Sequence, residues 1–168
     1  MWGAAGIRHR TKHNLGDDLS FAHPELCSTF DYWEGYPVKS LSIDTIVQVC
    51  PTTTLFTQQV RERIEQEGLA LPLLCADLAL ERLIEWYKVS EGRGMLSPDT
   101  YPKTDRCIAV FGGNTRLVMA KELGYTHIDC IVLDWKNEKI EGKIMEYMWD
   151  LQRKQRKEFP EMYPEEKL

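Results

Sequence analysis

The chain predicts a compact single domain of α/β class, and three observations carry that prediction. From residue 38 onward strand-like and helix-like runs alternate, most clearly RCIAVF, NTRLVMAKEL and HIDCIVLD between 106 and 134. A length of 168 residues suits one domain with a real core. The composition, 43% apolar and 28% charged, is that of an ordinary globular chain. Residues 1–37, rich in Gly, His, Asp and aromatics without a sustained period, read as an irregular N-terminal arm. The expected division is therefore an arm at 1–37, an α/β domain at 38–136, and a C-terminal helix with its tail at 137–168.

The elements follow in order. VKSLSIDTIVQV at 38–49 has the β-branched content of one or two short strands. TQQVRERIEQE at 57–67 predicts a helix with Val60 and Ile64 on one face and Gly68 as its C-cap. Leu71-Pro72-Leu73-Leu74-Cys75 predicts a strand that begins at the proline. Asp77 then caps a predicted helix reaching about Ser90, with Leu80, Leu83, Ile84 and Tyr87 on one face. EGRGMLSPDTYPKTD at 91–105 reads as loop. A strand at 106–111, a helix at 114–123 ended by Gly124, and a strand at 127–134 come next. The last helix spans 138–157 with Ile140, Ile144, Met148 and Leu151 as its apolar stripe, and a loose tail follows. No internal repeat is evident.

Charge and cysteines narrow the function classes. A net charge of −5 gives no global attraction to nucleic acid or anionic membrane, so any such binding needs a local basic patch. No apolar run approaches the roughly 18 residues of a membrane span, so no membrane partner is expected. MWGAAGIRHRTKH lacks the apolar core of a secretory signal. Five cysteines (27, 50, 75, 107 and 130) without C-x-x-C spacing favour reduced thiols in a cytoplasmic compartment. Cys75, Cys107 and Cys130 lie in or beside apolar runs and are expected as small core residues.

Gly112-Gly113-Asn114-Thr115-Arg116 is the most informative stretch. Strand, two glycines and a helix start expose backbone N–H groups at the positive end of a helix dipole. Glycine permits positive φ and close approach of a phosphate to the backbone. Asn114 or Thr115 can cap the helix, and Arg116 can add a bidentate guanidinium. The competing reading is a tight turn with a helix cap. The stretch is neither a P-loop nor a dinucleotide fingerprint, because the lysine motif and the third glycine are missing.

At this point the sequence resembles the ParB/sulfiredoxin superfamily. Residues 107–134 look like its second box: a strand, G-x-x-R, a helix, Leu-Gly and a strand. Phe111-Gly112-Gly113-Asn114-Thr115-Arg116 is similar to the F-G-G-C-H-R signature of sulfiredoxins. Ser42-Ile43-Asp44-Thr45-Ile46, helix 57–67, Gly68 and Leu71-Pro72-Leu73-Leu74 resemble the first box, and together the likeness covers about 43–134. It implies a nucleotide-binding α/β domain with a helical insertion at about 77–105. In ParB proteins the G-x-x-R region holds CTP phosphates, and in sulfiredoxins it holds ATP. Gly112, Gly113 and Arg116 match the phosphate-contacting motif, while Asn114 stands at the catalytic cysteine of sulfiredoxins and Thr115 at the histidine. Without that thiol, sulfinic-acid repair is excluded. On the first-box helix, Phe56, Gln59 and Arg63 occupy positions where sulfiredoxins carry a lysine and small hydroxyls, so Arg63 is the candidate cation, with Thr52-Thr53-Thr54 nearby in sequence. The chain runs 34 residues past the second box, too few for the DNA-binding and dimerisation domains of a partition protein, so plasmid partitioning is not expected.

The leading expectation is a nucleotide-binding protein, an ATP- or CTP-dependent phosphotransferase or hydrolase using Mg²⁺, as implied by stand-alone relatives that are free-serine kinases. One alternative is a DNA-associated ParB-like binder or nuclease of a phage or plasmid, using the basic cluster Arg153, Lys154, Arg156 and Lys157. The other is a non-catalytic adaptor that contacts a protein partner through helix 77–90 or the aromatics Phe30, Tyr32, Trp33 and Tyr36. Three lesser constellations complete the candidates. His9, His13, His23 and Cys27 have zinc-like spacing, and Asp17-Asp18 can help hold Mg²⁺ if brought to the glycine turn. His127 is a candidate for proton transfer, and Glu62, Glu65 and Glu67 are candidate bases on a face that otherwise reads as solvated.

Overall fold

The computed structural model describes residues 32–48, 57–89, 102–136, 138–158 and 160. Strand β1 (Val38–Ser42) leads through a 3-10 turn (Ile43–Thr45) into β2 (Ile46–Gln48). Helix α1 (Thr57–Glu67), β3 (Leu73–Ala79), α2 (Leu80–Val89), β4 (Arg106–Gly112), α3 (Asn114–Glu122), β5 (His127–Asp134) and α4 (Glu138–Glu158) follow. The strands form one mixed sheet in the order β1-β5-β3-β4-β2. β3 pairs parallel with β5 and antiparallel with β4, β2 runs parallel to β4, and β1 closes against β5 antiparallel. The predicted α/β class is the observed one.

Strand periodicity divides the core into two faces. Leu74, Ala76, Leu78, Cys107, Ala109, Phe111, Ile131 and Leu133 form one layer with Leu83 of α2 and Ile144, Tyr147 and Leu151 of α4. Leu73, Cys75, Val110, Ile128 and Cys130 point the other way, onto Leu117 and Ala120 of α3. Burial on both faces explains why these strands read as continuous apolar runs. Cys75, Cys107 and Cys130 are free and buried, as expected of small core residues.

Two helix ends show local chemistry fixing element boundaries. Gly68, at φ +75°, donates its N–H to Ile64 O at 2.8 Å, a single left-handed cap on α1. Gly124, at φ +87°, donates to Lys121 O while Tyr125 N–H donates to Ala120 O, the paired bonds of a Schellman motif ending α3.

Two expectations are corrected. Asp77 does not cap a helix; it lies within β3, which continues to Ala79. Pairing on both sides, with β4 and β5, outweighs the local helix signal, and Leu78 is wholly buried as a result. α2 starts only at Leu80, whose N–H donates to Asp105 O at 2.9 Å. Trp33 is the second correction. Expected in a contact arm, it is 1% exposed and packs with Phe111 and Tyr147 on the α4 face of the sheet. Lys143 Nζ lies 5.2 Å from the Trp33 ring centroid and 4.5 Å from that of Tyr36, and donates to Tyr36 Oη at 3.0 Å. An indole buried this deeply cannot present itself to a protein partner. Phe30 and the side chains of Tyr87 and Met148 lie outside the described residues.

Candidate functional site

The parallel pair β2 and β4 ends where β3 begins, and there β4 turns into α3. Leu74 pairs with Gly112 but Cys75 with Val110, so Phe111 is an extra residue, a β-bulge next to the glycine turn. Gly113 follows at φ 109° and ψ 27°, in the left-handed region that only glycine adopts without strain. It is the N-cap of α3 and offers no side chain to the first turn, whose first backbone ring closes from Leu117 N–H to Gly113 O at 2.9 Å. The position excludes a side chain for packing reasons as well. A Cβ there would overlap Leu73 Cδ2 and approach Arg116 Nη2 to 2.8 Å.

Arg116 occupies a place different from that of a surface clamp. Its side chain is fully buried, and Nη1 donates to Leu71 O at 2.9 Å and to Pro72 O at 3.0 Å. The guanidinium thus fastens the connection between α1 and β3 beneath the first turn of α3. A buried cation is costly unless hydrogen-bonded, and the two carbonyls meet that requirement. Thr115 is also buried, while Asn114 is partly exposed and its Oδ1 is shielded from solvent without a hydrogen-bond partner. Such an atom marks an incomplete polar environment. Gly112, Gly113, Asn114, Thr115 and Arg116 are therefore brought together in one turn, buried except for the partly exposed Asn114.

The other candidates are placed elsewhere. Arg63 donates from Nε to Glu67 Oε2 at 2.9 Å along its own helix. Glu62 accepts from Gln58 and Glu65 from Arg61, so all three glutamates belong to i,i+4 pairs on the exposed side of α1. Arg61 also reaches Glu122 at 3.6 Å, linking α1 to the last turn of α3. His127 is exposed, its Nδ1 lying 3.0 Å from Thr126 Oγ1 at the start of β5. Arg153, Lys154, Arg156 and Lys157 fall on the last turns of α4, and Arg153 meets Asp150 at 3.2 Å. His9, His13, Asp17, Asp18, His23, Cys27 and Thr52-Thr53-Thr54 lie outside the described residues.

Sequence reasoning missed a charge cluster at the opposite end of the sheet. Arg106 Nε donates to Asp77 Oδ1 at 3.0 Å, and its Nη2 reaches Asp77 O at 3.0 Å and Asp134 Oδ1 at 3.4 Å. Only strand register could have revealed it, because the three residues sit on three different strands. Among the described residues no group of three or more His, Cys, Asp or Glu can hold a metal ion, and no helix is long and apolar enough to cross a membrane. In comparisons with known proteins, no family model matches the chain and no curated protein matches it in sequence.

Proposed function

We propose that this chain is a nucleotide-binding protein of the ParB/sulfiredoxin type that receives phosphate oxygens on the first turn of α3. The observation that carries the reading is Gly113, a left-handed N-cap without a side chain, at the carboxyl ends of two parallel strands and directly above a buried guanidinium. Backbone N–H groups and the positive end of the helix dipole supply the contacts, and the Arg116 charge raises the local potential from beneath. Asn114 Oδ1 is an acceptor awaiting a donor, as a ribose hydroxyl or a base amino group would provide.

ATP or CTP with Mg²⁺ are the ligands this reading expects, and phosphotransfer or hydrolysis is the activity. The described residues offer no carboxylate cluster, so Mg²⁺ would ride on the phosphate oxygens and its own waters. In phosphoryl transfer most of the acceleration comes from positioning and charge neutralisation, which a rigid, positively polarised turn supplies.

The test is a thermal-shift titration with ATP, ADP, CTP and GTP, each with and without Mg²⁺, on the wild type and on Asn114→Asp. A carboxylate at the start of α3 is favourable to the helix dipole yet repels a phosphate, so it separates binding from folding. One nucleotide at about 100-fold its Kd is expected to stabilise the wild type by roughly 2.7 kcal/mol. Measured against its own unliganded melt, Asn114→Asp is expected to lose most of that shift. No shift with any nucleotide overturns the reading.

A further inference from the structure

The outer side of α4 carries a feature that neither the core nor the glycine turn uses. Its inner side is settled, with Ile144, Tyr147 and Leu151 buried against the sheet. Facing outward, Trp149 is 48% exposed. At spacings of four, Arg153 and Lys157 follow it along the same row, and both are exposed, as is neighbouring Lys154. The Arg153 side chain is 78% accessible and pairs with Asp150, three residues away, in a surface ion pair. A pair of that kind contributes little and exchanges readily for another anion.

Cations in the last turn of a helix are favoured by its dipole, which stabilises Arg156 and Lys157 where they stand. The dipole does not account for an indole left half in water one turn before Arg153. An accessible aromatic face in line with exposed cations is the pairing that holds single-stranded nucleic acid: the ring takes a base and the cations take the flanking phosphates. A double helix does not present a base face to such a ring. An acidic peptide would satisfy the cations but leave the indole without a stacking partner. Counting residues 149–158, four Lys and Arg against two Asp and Glu leave a net +2 within a chain of net −5, so the positive potential is local to this segment.

We infer that the Trp149–Arg153–Lys157 row of α4 is a docking surface for single-stranded nucleic acid, independent of the turn at Gly113. Trp149 stacks on one base, and Arg153 and Lys157 meet the phosphates on either side. The contact is short, two or three nucleotides, and weak at physiological salt.

The experiment is fluorescence anisotropy of a labelled dT oligonucleotide and of a matched duplex with the full chain, titrated over a range of salt. Wild type, Trp149→Ala and the pair Arg153→Gln with Lys157→Gln are compared after circular dichroism has shown equal helicity and melting. Single-stranded binding is expected to be tighter than duplex binding and to weaken with salt, at a log–log slope near −0.7 for each phosphate met. Trp149→Ala is expected to lose about tenfold in affinity with the slope unchanged. The double variant is expected to lower the slope by about 1.4. Absence of binding at low salt overturns the inference. Binding that favours duplex, or that ignores Trp149, does so equally.

Discussion

Arg116 Nη1 donates to the carbonyl oxygen of Pro72 at 3.0 Å, across 44 residues of chain, and also holds Leu71 O at 2.9 Å. The residue that the motif presents as a phosphate clamp is thus the internal fastener of the turn. This changes how its substitution must be read.

Arg116→Ala is expected to destabilise the fold by about 3 kcal/mol or more, because it leaves the buried Pro72 carbonyl and the part-buried Leu71 carbonyl without their donor and opens a cavity. Urea denaturation measures it. Loss of nucleotide binding in that variant alone therefore says nothing about contact with phosphate, which is why Asn114→Asp is the diagnostic change.

Gly113 and Gly68 both have positive φ, yet they should respond differently to alanine. At Gly68 a Cβ meets nothing within 4 Å, so only the left-handed backbone is penalised, about 1 kcal/mol. At Gly113 the Cβ also strikes Leu73 and Arg116, and a cost of about 3 kcal/mol is expected. In a double-mutant cycle Leu73→Ala should relieve part of the second cost and none of the first. Equal costs at the two glycines would show that the close packing beneath Gly113 is absent.

Stability should fall at alkaline pH in two stages. Burial, with Asp77 adding to it, pushes the Cys107 thiol from 9.0 up to about 11. Burial first, then Glu146, Asp150 and Tyr36, pushes Tyr32 from 10.0 up to about 12. Both are acids with raised folded values, so the folded state holds the proton more tightly. Their stabilisation is complete below the unfolded values and is lost as pH rises through the folded ones. Cys107→Ala should flatten the decline between about pH 9 and 11, and Tyr32→Phe that between about 10 and 12. In native protein near pH 8, Cys107 should resist thiol reagents until unfolding exposes it.

Trp33→Ala is expected to cost about 3–5 kcal/mol, the range for removing a large aromatic from a core. A chain beginning at residue 37 loses Tyr32, Trp33 and Tyr36 together and should melt far below the full chain. Lys143→Met should cost much less, about 1 kcal/mol, since it removes a half-buried cation–π contact and one hydrogen bond. Thermal melts of the three variants measure this order.

Legibility followed the range of the interaction. Helix 57–67 and strand 127–134 have the same limits in sequence and structure, because Gly68, Gly124 and the apolar runs between them act over a few residues. The Gly112–Arg116 turn was legible as a turn at a helix start for the same reason. The burial of Arg116 was not, because its acceptors come from a connection at residues 71–72. The charged knot of Arg106, Asp77 and Asp134 was equally hidden, since it exists only once three strands take their register.

The sequence by itself determined the α/β class, most element limits, Cys75, Cys107 and Cys130 as core residues, and the place of the turn. Those properties rest on local periodicity and on glycine's access to positive φ. Tertiary structure alone decided that Asp77 is a strand residue, that Trp33 is core, and that Arg116 lies beneath the turn. Each of these is a choice between water and a partner 29 residues or more away in the chain, and the sheet order, which no short window of sequence encodes, supplies the partner.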